Sequence, residues 1–313
     1  MAALICGSMA YDNIMVFSGR FKEQILPDQI HILNVAFLVP ELRREFGGCA
    51  GNIAYNLKQL GGNGYAMATV GEDFGSYRVW LSENQIDTRY INEISDTLTA
   101  QAYITTDLDD NQITAFHPGA MDHSHKFAIP ENIEITLGMV SPDGRKGMLK
   151  HADQFAKANI PFLFDPGQGL PMFEGSELKD FIKKATWIAV NEYESEMLQE
   201  RTGWSEKEIS NQVKALIVTK GAEGSTIFSG SDQLDIPAIA TNDLRDPTGC
   251  GDAYRAGLLY GLLNHWNWKD TGNLATLLGA LKIASLGTQN HSFDPVSIAT
   301  DFEKKFGYKM PSS

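Results

Sequence analysis

Cysteine is scarce in this sequence: Cys6, Cys49 and Cys250 are the only three in 313 residues, far apart and without a CxxC pair. That excludes a disulfide framework and a thiolate zinc centre, and it suits a reducing compartment. Basic residues are short as well. Lys and Arg number 26 against 39 Asp and Glu, a formal charge of −13, which argues against nucleic-acid and anionic-membrane partners, since both draw on surplus Lys and Arg. An anionic ligand must then be held by local backbone donors. Long apolar runs are absent too: no segment approaches the roughly 20 residues of a membrane span. The start, MAALICGS, has no basic leader and too short an apolar stretch for a signal peptide, so the expectation is a soluble, cytoplasmic protein. Two common nucleotide fingerprints are also missing, the P-loop GxxxxGK[ST] and an early GxGxxG with a trailing acidic residue. Without repeats or linker-like tracts, nothing divides residues 1–313 into sequential domains.

What is present reads as an ordinary globular α/β chain, 43% hydrophobic and 21% charged. Ala3 to Cys6 is a short apolar run stopped by Gly7-Ser8, a buried strand that delivers a loop carrying Asp12. Further apolar runs at 162–164, 187–190, 216–218 and 226–228 alternate with helical patterns near 146–158, 176–184 and 193–201. Such alternation predicts a doubly wound, mostly parallel sheet covered on both faces, with ligands at the carboxyl ends of its strands. Residues 30–39 and 100–116 alternate apolar and polar, the second with a hairpin signal near 109–111, which suggests a small antiparallel layer beside the main sheet. Cys49 to Leu60 is a helix candidate opened by Gly47-Gly48 and closed by Gly61-Gly62.

The most informative stretch is DPTGCGDAYRAG, Asp246 to Gly257. Apolar residues at helical spacing from Ala253 onward make Gly249-Cys250-Gly251 the start of a helix, whose first N–H groups lack intrahelical partners and form an anion site. Asp252 in that first turn is either a carboxylate that complements the helix dipole or a base beside a bound phosphoryl group; two adjacent glycines favour the base.

Together with FGGCAGNIA from Phe46, this stretch resembles the two signatures of the ribokinase-like (PfkB) sugar and nucleoside kinases, with motif order and spacing matched over essentially the whole chain. Within that family, GSMAYDNIM, FLVP, FHPGAM and RTGWSE are most similar to segments of bacterial adenosine kinases. The resemblance implies a ribokinase-like fold with a β-sheet lid from about 11–45 and 98–117, and transfer of the ATP γ-phosphoryl to the 5′-hydroxyl of adenosine, giving AMP and ADP. Asp252 would act as base, with the amides of Gly249, Cys250 and Gly251 holding the phosphoryl. Asn191 and Glu194 match an Asn-x-x-Glu motif that acts through water on Mg²⁺, though the same pair is also a helix capping box. Thr219, Gly221 and Gly224 match a turn that lines the ATP site; alone they would be a strand-ending turn. Asp246, Thr248 and Gly287 match a monovalent-cation site, expected to take K⁺. On the acceptor side the resemblance assigns Asp12, Gly48 and Asn52 to the sugar hydroxyls, adds Ser8 and Gln168 as contacts, and leaves Phe37, Leu38 and Phe116 as a wall for the base or as core. His117, His123 and His125 match no zinc spacing and read as solvated loop residues. A homodimer through the lid is an option the sequence leaves open, as are another nucleoside or sugar (ribose, fructose) as acceptor and a non-catalytic nucleoside-binding relative.

Overall fold

The computed structural model describes residues 2–25, 31–32, 34–109, 111–131, 134–241 and 243–312. Nine strands form the main sheet: β1 (Ala3–Cys6), β4 (Gly64–Val70), β5 (Ile91–Glu93), β8 (Leu137–Val140), β9 (Phe162–Phe164), β10 (Trp187–Asn191), β11 (Ala215–Thr219), β12 (Ser225–Ser229) and β13 (Asp232–Ile236), in the order β13-β12-β11-β10-β9-β8-β1-β4-β5. Pairing is parallel from β11 through β5, while β12 and β13 close one edge antiparallel. The run at 226–228 therefore belongs to a hairpin, not to the parallel part of the sheet. β1, β8 and β9 are buried at every position, the pattern of strands covered on both faces by helices.

A second sheet of four strands, in the order β3-β2-β6-β7, stands beside the first: β2 (Ala10–Val16), β3 (Glu41–Gly47), β6 (Ala100–Thr106) and β7 (Gln112–His117). It departs from the sequence reading in three ways. Asp12 lies within β2, not on a loop. Residues 34–39 form no strand, and that role falls to Glu41–Gly47, while 30 and 33 lie outside the described residues. The layer is also mixed, because β2 and β6 pair in parallel. The hairpin between β6 and β7 is as expected, although residue 110 of its turn lies outside the described residues.

Registers Asp12↔Glu45, Asp12↔Ala102 and Ala102↔Phe116 put Glu45, Asp12, Ala102 and Phe116 in one row on one face of this sheet. The opposite face packs on the main body: the Tyr11 hydroxyl donates to the Asp73 carbonyl at 3.0 Å, and Phe46 stacks on Tyr77 at 4.6 Å between ring centroids.

Two helices fix the centre of the molecule, α8 (Cys250–Leu263) and α9 (Trp268–Ile283). They cross closely because Gly257 and Gly261 of α8 face Ala275 and Thr271 of α9; a Cβ on Gly257 would lie 2.5 Å from the Ala275 Cα. Helix α2 (Cys49–Gln59) packs against α8 and buries Ile53, Ala54 and Leu57. Among the described residues, no helix is long and apolar enough to cross a membrane, and all three cysteines are free.

Candidate active site

Gly48, Asn191, Thr219 and Gly249 stand at strand ends or helix starts, and Asn52 and Asp165 meet the start of α8. Gly249 caps that helix in the left-handed region, φ 80°, with no side-chain cap. A side chain there would be strained and would press on Thr288, whose Cγ2 lies 3.1 Å from the Cβ position. The Cys250 N–H donates to the Pro247 carbonyl at 3.2 Å, whereas among the described residues the N–H groups of Gly249, Gly251 and Asp252 have no acceptor. The N–H groups open to an anion are thus those of Gly249, Gly251 and Asp252, and the Cys250 amide is already engaged. Burial pushes the Cys250 thiol up to about 11, so it stays protonated.

Asp252 is partly open to the cleft as a residue, but its carboxyl group is enclosed by protein. Burial pushes it up to about 7, the neighbouring Asp165 adds to this, and a hydrogen bond from Asn52 opposes it. Asn52 is buried in α2; its Nδ2 donates to the Asp252 Oδ2 at 2.8 Å, and its Oδ1 accepts from the Gln289 Nε2 at 2.9 Å. Asn52 thus links Asp252 to Gln289 and keeps one N–H donor that these two bonds do not use.

The same region holds residues that the sequence reading missed. Arg255, one helical turn after Asp252, makes a two-pronged ion pair with Asp165 at 3.0 and 3.1 Å, with both side chains buried. Asp165 follows β9 directly. The only local signal for the pair was the spacing of Asp252 and Arg255, three residues apart, on one helix face. Glu194 and Asn191 form the reciprocal capping box at the start of α6 (Glu192–Thr202), each accepting the other's N–H at 2.8 Å. Burial and the nearby Asp165 raise the Glu194 carboxyl above its ordinary value, Arg255 opposing. Among the described residues, no three His, Cys, Asp or Glu side chains gather as metal ligands. A Mg²⁺ that keeps most of its waters and is carried by a nucleotide needs only one such carboxylate, and Glu194 fits. Thr219 ends β11, and Gly221 and Gly224 turn the chain at φ 54° and 94° into β12.

On the acceptor side, Gly48 is required twice over: its φ is 88°, and a Cβ would meet the Met9 Cα at 2.5 Å. Ser8 caps the start of α2, its Oγ accepting the Cys49 N–H at 3.1 Å. Burial, then the charges of Glu45 and Asp246, push the Asp12 carboxyl up to about 6. Gln168 lies exposed on the short helix Gly167–Met172. Phe116 stands on β7, 51% exposed. Phe37 and Leu38 are not on the sheet: Phe37 packs on Phe17 and Phe21 with centroids 4.9 and 5.0 Å away, and Leu38 is 87% exposed. His117 ends β7, while His123 and His125 lie on the short helix Gly119–Lys126.

The expected monovalent-cation residues lie together but are already occupied. The Asp246 Oδ1 accepts the Thr248 N–H and its Oδ2 the Gly287 N–H, each at 2.9 Å, while the Asp246 carbonyl accepts from the Lys282 Nζ at 2.8 Å. The residues present do not fit a bound K⁺.

The sequence matches the pfkB family carbohydrate kinase profile over residues 9–294. It is 31% identical over 260 residues to a nucleoside kinase of Methanocaldococcus jannaschii, covering 82% of this chain and 85% of that protein. Among solved structures, the Burkholderia thailandensis nucleoside kinase in complex with inosine superposes with a TM-score of 0.91 at 50% identity, over 99% of this chain and 100% of the other. The same enzyme in complex with ADP-inosine gives 0.89 at 52% identity, over 99% and 98%.

Proposed function

Because this chain belongs to the pfkB family of carbohydrate kinases, phosphotransferases with an alcohol acceptor on the ribokinase-like α/β fold, we propose that it transfers the γ-phosphoryl of ATP to the 5′-hydroxyl of a purine nucleoside, adenosine among its acceptors. The observation that carries the reaction is Asp252, a carboxyl near pKa 7 in the first turn of α8, beside N–H groups that have no acceptor. As the 5′-oxygen bonds to the γ-phosphorus, its proton passes to the Asp252 carboxylate. The bond from γ-phosphorus to the β–γ bridging oxygen breaks, and ADP leaves with that electron pair. The transition state of such transfers is loose, so holding the reactants in line matters more than base strength. The amides of Gly249, Gly251 and Asp252 stabilise the charge on the moving phosphoryl. Glu194 would hold the water shell of a Mg²⁺ carried by ATP, which would supply neutralisation of phosphate charge. Asn52 and Gln289 orient the base, and the charges of the Arg255–Asp165 pair act on it with opposite signs.

A nucleoside is favoured over a free sugar by Phe116, a half-exposed aromatic ring in the same row as Asp12, and by the inosine complex of a kinase 50% identical to this chain. That relative also extends the acceptor class beyond adenosine. The test is ADP release with adenosine, inosine, guanosine, ribose and fructose: turnover of the purine nucleosides is expected. Turnover of ribose or fructose alone assigns the enzyme to sugars, and none with any acceptor makes it a binding protein.

A further inference from the structure

Lys282 lies in the last turn of α9 with none of its surface exposed. A lysine is almost never buried so completely unless its ammonium is satisfied by acceptors. Here the Nζ donates to the Asp246 carbonyl at 2.8 Å and the Ser285 carbonyl at 3.1 Å. Those carbonyls belong to the two loops that meet behind the start of α8. Residues 246–249 lead directly into Gly249 and Gly251, and residues 285–288 carry Thr288, which abuts Gly249. The Asp246 carboxylate ties the same two loops through the Thr248 and Gly287 amides. The loop then reaches the second sheet, where the Thr288 hydroxyl donates to the Phe46 carbonyl and Asn290 bonds Glu45 at 2.8 Å. One fixed positive charge thus sits at the carbonyl-rich end of α9, where the helix dipole favours a cation, and it joins the segments that shape the anion site.

A free metal cation in this position would need the carbonyl oxygens that Lys282 already holds, and it would lie against a like charge. A second cationic group stands close by, since the Arg43 guanidinium lies 3.8 Å from the Asp246 carboxylate. We propose that the Lys282 ammonium is the built-in substitute for a monovalent cation, a positioning group that holds the anion-binding turn Gly249–Gly251 in shape, so that catalysis needs no K⁺. The proposal rests on the kinase reading above but concerns only the cation requirement.

The test starts with the wild-type protein, which needs no variant to fold. Kinase activity is assayed with Mg·ATP and inosine while K⁺ replaces tetramethylammonium at constant ionic strength, and the melting temperature is followed through the same titration. The expected result is no dependence of kcat or Tm on K⁺; activation or stabilisation that saturates with K⁺ overturns the proposal. Lys282→Ala is then expected to lower kcat by about 10- to 100-fold, as loss of a charge-assisted hydrogen-bond donor does, with KM for the nucleoside little changed. K⁺ or NH₄⁺ should restore part of that loss, a rescue that a merely structural lysine would not give. Wild-type kcat in Lys282→Ala without K⁺ also overturns the proposal. If the variant does not fold, the wild-type titration decides alone; if no nucleoside is phosphorylated, the functional reading fails while the K⁺ dependence of Tm still tests the cation claim.

Discussion

Substituting Asp252 by Asn should abolish turnover and, at alkaline pH, stabilise the protein. The carboxyl is held at about 7 in the folded chain against an ordinary 3.8. Its folded pKa is raised, so the folded state binds the proton more tightly than the unfolded one, and stability falls as pH rises from about 4 through about 7. The full displacement corresponds to about 4 kcal/mol of strain once the group is ionised. Access of water through the cleft reduces this, and about 2 kcal/mol is a reasonable expectation. Asn is neutral and nearly isosteric, and its amide oxygen can still accept from the Asn52 Nδ2. Asp252→Asn should therefore unfold about 3 °C above the wild type at pH 8, for about 2 kcal/mol in a chain of 313 residues, and at nearly the same temperature at pH 4. Thermal unfolding by circular dichroism at the two pH values reads this, alongside ADP release. Equal Tm at pH 8, or a gain that does not depend on pH, would refute the assignment of a strained, ionised carboxylate; retained turnover would refute its role as base.

Three further outcomes follow from the same geometry. Since Asp252 works as the carboxylate, kcat/KM should fall about tenfold per pH unit below about 7, and a rate independent of pH between 5 and 8 would contradict this. The Asn52 hydrogen bond lowers the Asp252 pKa, so Asn52→Ala should move that acid limb upward by about one unit; an unmoved limb would mean that Asn52 does not set the base. Removing Arg255 alone, as Arg255→Met, leaves Asp165 buried without its partner and should cost about 3–5 kcal/mol in urea unfolding, most of it recovered when Asp165 is replaced by Leu as well. A cost below about 1 kcal/mol, typical of an exposed pair, would contradict the burial of this one.

What the sequence made legible was local. The apolar runs of β1, β9, β10 and β11 and the start of α8 are written in adjacent residues: Gly249, Gly251 and Asp252 are followed at once by apolar residues at helical spacing. Partnerships across the fold left no such trace. Asn52 meets Gln289, 237 residues away, and Arg255 meets Asp165, 90 away. Lys282 looks like any lysine in the last turn of a helix until its surroundings close over it. β2 is hard to see in its sequence, AYDNIMV, because Asp12 and Asn13 stand inside the strand; the Asn13 side chain is satisfied there by Gln101 and Arg44, 88 and 31 residues away. The alternation around Phe37 and Leu38 suggests a strand, yet the chain there pairs with none, and Phe37 instead joins an aromatic group with Phe17 and Phe21.

The central claim is that phosphoryl passes from ATP to the 5′-oxygen of a purine nucleoside at Asp252. The most direct measurement incubates the protein with Mg·ATP and inosine and resolves the products by chromatography and phosphorus NMR. Inosine 5′-monophosphate and ADP should appear in equal amounts with the wild-type chain, and neither with Asp252→Asn. ADP formed without a phosphorylated nucleoside, or nucleotide formed at the wild-type rate by the Asn variant, would contradict the account.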